Sequence, residues 1–206
     1  MNTHCLRYAL AAILLGVGLA RAQDVPPDAA AALAQAMAAA MGQASGDGAA
    51  PAAIDAGELK ALLPGKDAFE GFKRVKAGTE SNTAMGFKVV VAKAEFEALK
   101  GEAEITIKYT DIGSLGALAK MVQAQEIDEE TENGFRRTTT YDGFKTLEEY
   151  DGEDKEARIM IYLGDQVTVE VETEDMEFEA ARKVVGKLDL KKLAALKPKP
   201  APAPAK

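Results

Sequence analysis

The sequence predicts an α+β fold, a largely antiparallel sheet of about six or seven strands with helices packed on it, in helix-βββ-helix-ββββ-helix order. Three observations lead to this fold class. Short segments of alternating apolar residues are joined by links of hairpin length, which favours antiparallel pairing. Other segments space their apolar residues as one face of a helix does. Aromatic residues make up only 6% of the 206 residues and Trp is absent, so the core must consist mainly of Val, Ile, Leu and Met.

Residues 1–22 have the features of a secretory signal peptide. Arg7 precedes an apolar run that ends at Leu19, and Ala20 and Ala22 have the spacing that signal peptidase accepts. This run is shorter than the roughly 20 residues that a membrane-spanning helix needs. We therefore expect an exported protein, periplasmic or secreted after cleavage near Ala22, with no transmembrane span in the mature chain.

Cleavage after Ala22 would remove the single Cys and the single His of the chain, Cys5 and His4. The mature chain would then hold 23 basic and 33 acidic residues, a net charge of −10. Catalysis by Ser-His-Asp or Cys-His groups and zinc sites of His or Cys would be excluded. The acidic balance also argues against a nucleic-acid partner bound through its phosphates. We expect no cofactor.

Composition divides the rest of the chain into three parts. Residues 23–53 are an Ala-rich low-complexity segment and linker, with 14 Ala among residues 29–53; a short helix followed by a spacer is expected there. Residues 54–196 are predicted to form a single α+β domain. Residues 197–206, a Lys/Pro/Ala tail, have the composition of a polyproline-type segment.

The domain is predicted to begin with a short helix. Asp55 is its expected N-cap and Glu58 its capping-box acid, while Pro64-Gly65 ends it. A first strand is predicted over residues 69–77, and the polar residues 78–83 predict a turn.

Alternation from Met85 to Val91 predicts the second strand. The apolar phase shifts after Val91, so residues 92–99 are either a bulged strand or a short helix. Residues 102–109 predict the third strand, and a helix capped by Ser114 is expected to run towards Ile127.

Asp142-Gly143 is the strongest hairpin signal in the chain, and it joins Phe135–Tyr141 to Phe144–Tyr150. A two-residue turn at this position places Arg137 opposite Glu148 and Arg136 opposite Glu149. Opposite charges at both positions support this register.

A second hairpin is predicted at Gly164-Asp165, between Ala157–Leu163 and Gln166–Glu174. The first of these strands is apolar on both faces, which is typical of a central strand. Asp175 and Asp189 are the expected N-caps of two closing helices.

This order of elements resembles the Mog1/PsbP-like α+β folds of exported and organelle-lumen binding proteins, over roughly residues 69–188. The resemblance concerns element order alone, and no functional residue is transferred with it. It implies a non-catalytic binding or assembly domain.

Two sets of residues are candidate contacts for a ligand or partner. Aromatic residues on a curved sheet either line an apolar pocket or belong to the core; they are Tyr109, Tyr141, Tyr150 and Tyr162. Basic residues concentrate after position 179, where the net charge is +7 against −17 for residues 23–179. Such residues can hold an anionic envelope polymer or fold back on the acidic body; those chosen are Lys187, Lys191, Lys192, Lys197 and Lys199.

The leading interpretation is an exported, non-enzymatic binding domain of the cell envelope, whose partner is an envelope protein or an anionic envelope polymer. One alternative is a carrier of a small apolar ligand. Another is a carboxylate-dependent hydrolase, for which the candidate acids are Glu148, Glu149, Glu170 and Glu172. The acidic clusters lack the residue spacing of a calcium loop, so no metal site is predicted.

Overall fold

The computed structural model describes residues 52–84 and 87–199. Segments in which buried and exposed side chains alternate form one antiparallel sheet. Within these residues the sheet has eight strands in the order β1-β2-β3-β8-β7-β6-β5-β4. The strands are β1 (Phe72–Ala84), β2 (Phe87–Ala98), β3 (Glu104–Asp111), β4 (Asp128–Glu130), β5 (Gly134–Tyr141), β6 (Phe144–Asp151), β7 (Glu156–Leu163) and β8 (Val167–Glu174). The helices are α1 (Ala56–Ala61), a 3-10 turn (Gly113–Leu115), α2 (Gly116–Gln123), α3 (Phe178–Val185) and α4 (Leu190–Ala195).

The hydrophobic core lies between one face of this sheet and helices α1, α3 and α4. Leu59, Val184 and Leu193 are buried on these three helices and belong to the same core cluster as the inward residues of the central strands. Burial alternates residue by residue along β3, β7 and β8, as expected for strands with one face on a core. We call this side of the sheet the core face and the opposite side the open face.

The predicted fold class is confirmed, with one more strand than expected. The hairpin of β5 and β6 has the predicted register, with Arg137 opposite Glu148 and Arg136 opposite Glu149. Strand β7 lies between β6 and β8, as its two apolar faces indicated. The additional strand is β4, three exposed residues of an acidic cluster that pair with the start of β5.

One prediction for β1 was wrong. Residues 78–83 form strand rather than a turn, because each of them pairs with a residue of β2 up to Thr83 opposite Lys88. Of the two alternatives for residues 92–99, the strand is confirmed as far as Ala98 and the helix is wrong, and β2 itself has no bulge there because it pairs with β3 without interruption. The irregularity lies in β1 instead, where the register shifts between Arg74 and Lys76.

Two of the four predicted caps act as expected. The side chains of Asp55 and Asp189 accept backbone hydrogen bonds at the starts of α1 and α4. Ser114 does not cap α2, because its hydroxyl donates to the Lys88 carbonyl, 2.7 Å away. Asp175 does not cap α3, because it has a left-handed backbone with φ of 54° and the helix begins only after Glu177.

Backbone hydrogen bonds tie the two ends of the described segment together. Ala53 and Lys199 form an antiparallel bridge, with N···O distances of 3.1 and 2.8 Å. The predicted signal peptide 1–22, most of the segment 23–53 and residues 200–206 of the tail lie outside the described residues. No helix among the residues that the structure describes is long and apolar enough to cross a membrane.

Candidate functional site

The open face of the sheet carries a row of alternating charges that crosses all eight strands. Strand register places one residue of each strand in this row. We call it the charge ladder; in sheet order from β4 to β1 it is Glu129, Arg136, Glu149, Arg158, Glu172, Thr106, Glu95 and Lys76. Opposite charges on neighbouring strands stabilise the sheet, by about 0.2–1 kcal/mol for each pair.

Ion pairs in and beside the charge ladder are short. Arg136 Nε lies 2.6 Å from Glu149 Oε1, and Lys108 Nζ lies 2.8 Å from Glu172 Oε2 and 3.4 Å from Glu170 Oε2. Partial burial acts to raise the pKa of Glu172, but the hydrogen bond and charge of Lys108 and the charge of Arg158 outweigh it and lower the pKa. The Glu172 carboxylate is therefore held in its charged form.

A second row, two residues further along the same strands, contains acids only. We call it the acidic row; in sheet order from β6 to β2 it is Asp151, Glu156, Glu174, Glu104 and Glu97. The strand register pairs Asp151 with Glu156, Glu174 with Glu104 and Glu104 with Glu97. Like charges that lie directly opposite each other destabilise a sheet, so this row opposes folding.

The acidic row is almost without counter-charges of its own. Among the described residues its one ion pair joins Glu97 to Lys73, at 3.9 Å and at the β1 end. Partial burial and then the charges of Glu174, Asp154 and Asp151 raise the pKa of Glu156. Repulsion from neighbouring acids thus adds to the effect of burial on the pKa of Glu156.

A groove of about 440 Å³ adjoins the acidic row. Its lining combines this row with neighbouring ladder residues, among them Asp151, Glu156, Glu174, Glu104, Arg136 and Arg158. Charged side chains thus dominate the groove, which suits a polar partner better than an apolar ligand.

A buried carboxylate on the core face forms a separate cluster with two arginines. Glu148 is 1% exposed, and its Oε2 lies 2.9 Å from Arg137 Nη2 and accepts a hydrogen bond from Arg137 Nε at 3.0 Å. Its Oε1 lies 3.6 Å from Arg182 Nε of α3 and has no hydrogen-bond partner among the described atoms. The Arg137 guanidinium also lies 4.3 Å from the Phe135 ring centroid. This cluster connects α3 to the β5–β6 hairpin.

The four tyrosines predicted as ligand contacts do not form one pocket. Tyr109 is fully buried in the core, where its hydroxyl donates to the Leu62 carbonyl at 3.3 Å and burial strongly raises its pKa. Tyr141 and Tyr150 are half-buried on the core side. Tyr162 is buried but lies outside the core cluster. Of the four, Tyr150 alone lines the groove described above.

The five candidate lysines lie on or after the last two helices, and all are exposed. Lys192 pairs with Asp189 at 2.8 Å, and Lys199 pairs with Glu58 at 2.5 Å. The others are Lys187, Lys191 and Lys197. The Lys192–Asp189 pair is local to α4, whereas the Lys199–Glu58 pair joins the basic segment to the start of the domain.

The four acids of the hydrolase alternative lie on both sides of the sheet. Glu148 belongs to the core face, whereas Glu149, Glu170 and Glu172 belong to the open face. Each lies within 4 Å of an Arg or Lys nitrogen. In the described part of the chain, no group of three or more acids, His or Cys is arranged to hold a metal ion.

Sequence reasoning identified neither the acidic row nor the buried Asp111. The Asp111 carboxylate accepts hydrogen bonds from the Ile54 amide at 2.6 Å, the Gly113 amide at 2.9 Å and the Gln166 side chain. Hairpin registers alone place Asp151 beside Glu156. The β7–β8 register, with Ala157 opposite Thr173, likewise places Glu156 beside Glu174, and the β2–β3 register places Glu104 opposite Glu97. Joining these two groups depends on the pairing of β3 with β8, in which Glu104 lies opposite Glu174, 70 residues away in the chain, and no local signal reports that pairing.

Comparison with known proteins adds no further assignment. No protein-family model, no curated protein and no solved structure matches the chain.

Proposed function

We propose that this protein is an exported, non-catalytic binding module whose partner is a basic polypeptide segment of the cell envelope, held on the acidic row of the open face. The observation that carries the proposal is the contrast between two neighbouring rows of the same strands. In the charge ladder, acids stand opposite bases. In the acidic row, five acids stand side by side.

The acidic row lowers the stability of the free domain. Each like-charged neighbour pair costs a few tenths of a kcal/mol, and the pKa of Glu156 is raised by partial burial and then by the charges of its neighbours. A bound partner with positive charges would remove this repulsion. The repulsion is therefore a source of binding free energy that an uncharged partner could not use.

The spacing of the acids favours an extended partner over a single ion. Neighbouring strands are about 4.8 Å apart, so five strands spread the carboxylates over roughly 19 Å. Consistent with this spread, the described residues contain no metal-type cluster of acids. Several Lys or Arg side chains on an extended segment can each meet one carboxylate, and the adjoining groove has room for the backbone or for side chains.

Other features support binding rather than catalysis. The only imidazole and the only thiol of the chain, His4 and Cys5, lie in the predicted signal peptide. The carboxylates Glu149, Glu170 and Glu172 are paired with bases, which leaves no free acid and base pair among them. The charged lining of the groove does not favour the apolar carrier.

A labelled synthetic peptide of alternating Lys and Ala residues tests the proposal by fluorescence anisotropy against the purified protein. Glu104→Gln combined with Glu174→Gln removes two central charges of the acidic row. We expect this double variant to bind the peptide about tenfold more weakly, the equivalent of two exposed ion pairs. Binding to the unchanged protein should weaken as salt is added.

The matched control is Glu70→Gln combined with Glu179→Gln, two exposed acids away from the row. Both double variants change the net charge equally, so the control should bind like the unchanged protein. Equal losses in the two variants would show a diffuse attraction to an acidic protein, and the proposed site would be wrong. Absence of binding to the unchanged protein would also refute it.

A further inference from the structure

Among the residues that the structure describes, the outer edge of strand β1 has no partner strand. The strand has 13 residues and pairs with β2 alone. The opposite edge of the sheet is β4, which has only three residues. Exposed backbone N–H and C=O groups of an edge strand are a template for pairing with another strand, and short edge strands limit that risk.

The two halves of β1 differ in how well they are protected. The first half has Lys73, Lys76 and an irregular register between Arg74 and Lys76, and both lysines and irregularities discourage edge pairing. The second half, residues 77–84, contains no Lys, Arg or Pro and keeps a regular register with β2. Residues 79–83 are all exposed.

We propose that two copies of this chain associate through antiparallel pairing of their β1 strands, with Gly78 of one copy opposite Gly78 of the other. A two-fold axis through this point places Lys76 of each copy opposite Glu80 of the other. Lys76 is 72% exposed, and Glu80 has no ion pair among the described residues. A two-fold contact of this kind is self-complementary, because the same pair forms twice.

Other registers lack this complementarity. In a continuous sheet whose open faces point the same way, paired residues must lie on the same face. Centring the contact on Thr79 places Lys76 opposite Asn82, and centring it on Lys76 or Glu80 places a like charge opposite itself. Gly78 is the centre that places Lys76, the first residue after the register shift, opposite Glu80 on the regular half of the second copy.

The proposed contact also continues the charge ladder. Lys76 is the last member of that row and shares Glu95 with Lys93, at 3.8 and 2.6 Å respectively. A Glu80 side chain from a second copy would supply the next acid beyond Lys76. The contact does not involve the acidic row, whose last acid, Glu97, lies opposite Lys73 and not opposite Lys76.

Disulfide trapping tests both the association and its register, in a Cys5→Ser background. Gly78→Cys places two thiols on opposed residues, whose Cα atoms are about 4.5–5.5 Å apart in antiparallel pairs, within disulfide range. An added side chain at Gly78 meets no atom within 4 Å. The matched control is Asn82→Cys, since two such residues would lie about 27 Å apart. We expect oxidised dimers from Gly78→Cys only.

Charge exchange provides a second test by sedimentation velocity over a range of concentrations. Glu80→Lys should weaken self-association about tenfold, because two attractive pairs become repulsive. Combining Glu80→Lys with Lys76→Glu should restore it. A protein that stays monomeric at all concentrations, or equal crosslinking of the two Cys variants, would overturn the proposal. Failure of the basic peptide to bind would not bear on the proposed dimer, because the peptide tests only the acidic row.

Discussion

Removing Arg137 should destabilise the domain more than removing its partner Glu148. In Arg137→Met, the carboxylate of Glu148 keeps only Arg182 nearby, at 3.6 Å and without a hydrogen bond. In Glu148→Met, the groups left without a partner are two guanidiniums, 43% and 38% exposed. Water can hydrate the exposed guanidiniums but not a carboxylate that is 1% exposed.

The expected magnitudes follow from this asymmetry in exposure. Removing one partner of a buried pair costs about 3–5 kcal/mol, and the remaining Arg182 places Arg137→Met near 3 kcal/mol. Glu148→Met should cost about 1 kcal/mol or less, since an apolar side chain of similar size fills the buried position and the arginines behave as surface charges. The difference is about 2 kcal/mol.

Urea denaturation followed by circular dichroism measures these free energies of unfolding. Equal slopes for the two variants show that both unfold as the unchanged protein does. The double variant Arg137→Met with Glu148→Met provides the control, because it should recover most of the loss seen in Arg137→Met. A larger loss in Glu148→Met than in Arg137→Met would refute the reasoning about exposure.

Two further outcomes are expected. Lys108→Met should lower the free energy of unfolding near pH 7, because the charged Glu172 carboxylate loses its Lys108 partner. This loss should shrink in a denaturation series below about pH 4.5, since the lowered pKa of Glu172 stabilises the fold above that range and no longer does so once the acid is protonated. A loss that stays constant with pH would contradict this. Asp111→Ala should cost about 2–4 kcal/mol in the same assay, because two backbone N–H groups, including that of Ile54, lose their acceptor. Asp165→Ala, an exposed control paired with a lysine, should cost about 0.5 kcal/mol or less, and an equal cost at both positions would count against the role of Asp111.

Local chemistry was enough to predict the β5–β6 and β7–β8 hairpins and half of the caps. A two-residue turn at Asp142-Gly143 determines which residues of β5 and β6 face each other, so the Arg137–Glu148 pairing followed from counting alone. Asp55 and Asp189 cap their helices because their side chains reach amides only two or three residues away. Interactions over such short separations depend little on the rest of the fold.

The strand of residues 78–83 shows where local chemistry was insufficient. Their polar composition is typical of a turn, yet β2 pairs with all of them. The hydrogen bonds of a long hairpin satisfy the backbone whatever the side chains are, so a polar edge strand is tolerated when its outer side faces solvent. The polar composition correctly predicted that these residues are exposed, but it wrongly predicted a turn where the backbone forms a strand.

The pattern of residues was enough to predict the fold class, the register of the β5–β6 hairpin and a small inventory of reactive groups. The assembled sheet was needed to show that five acids stand in one row and that, within the described residues, β1 has no partner on its outer side. Both features depend on pairing between strands far apart in the chain, such as Glu104 of β3 with Glu174 of β8. Packing of the core-face side chains determines which distant strands pair. The positions of the charges on the open face follow from that pairing.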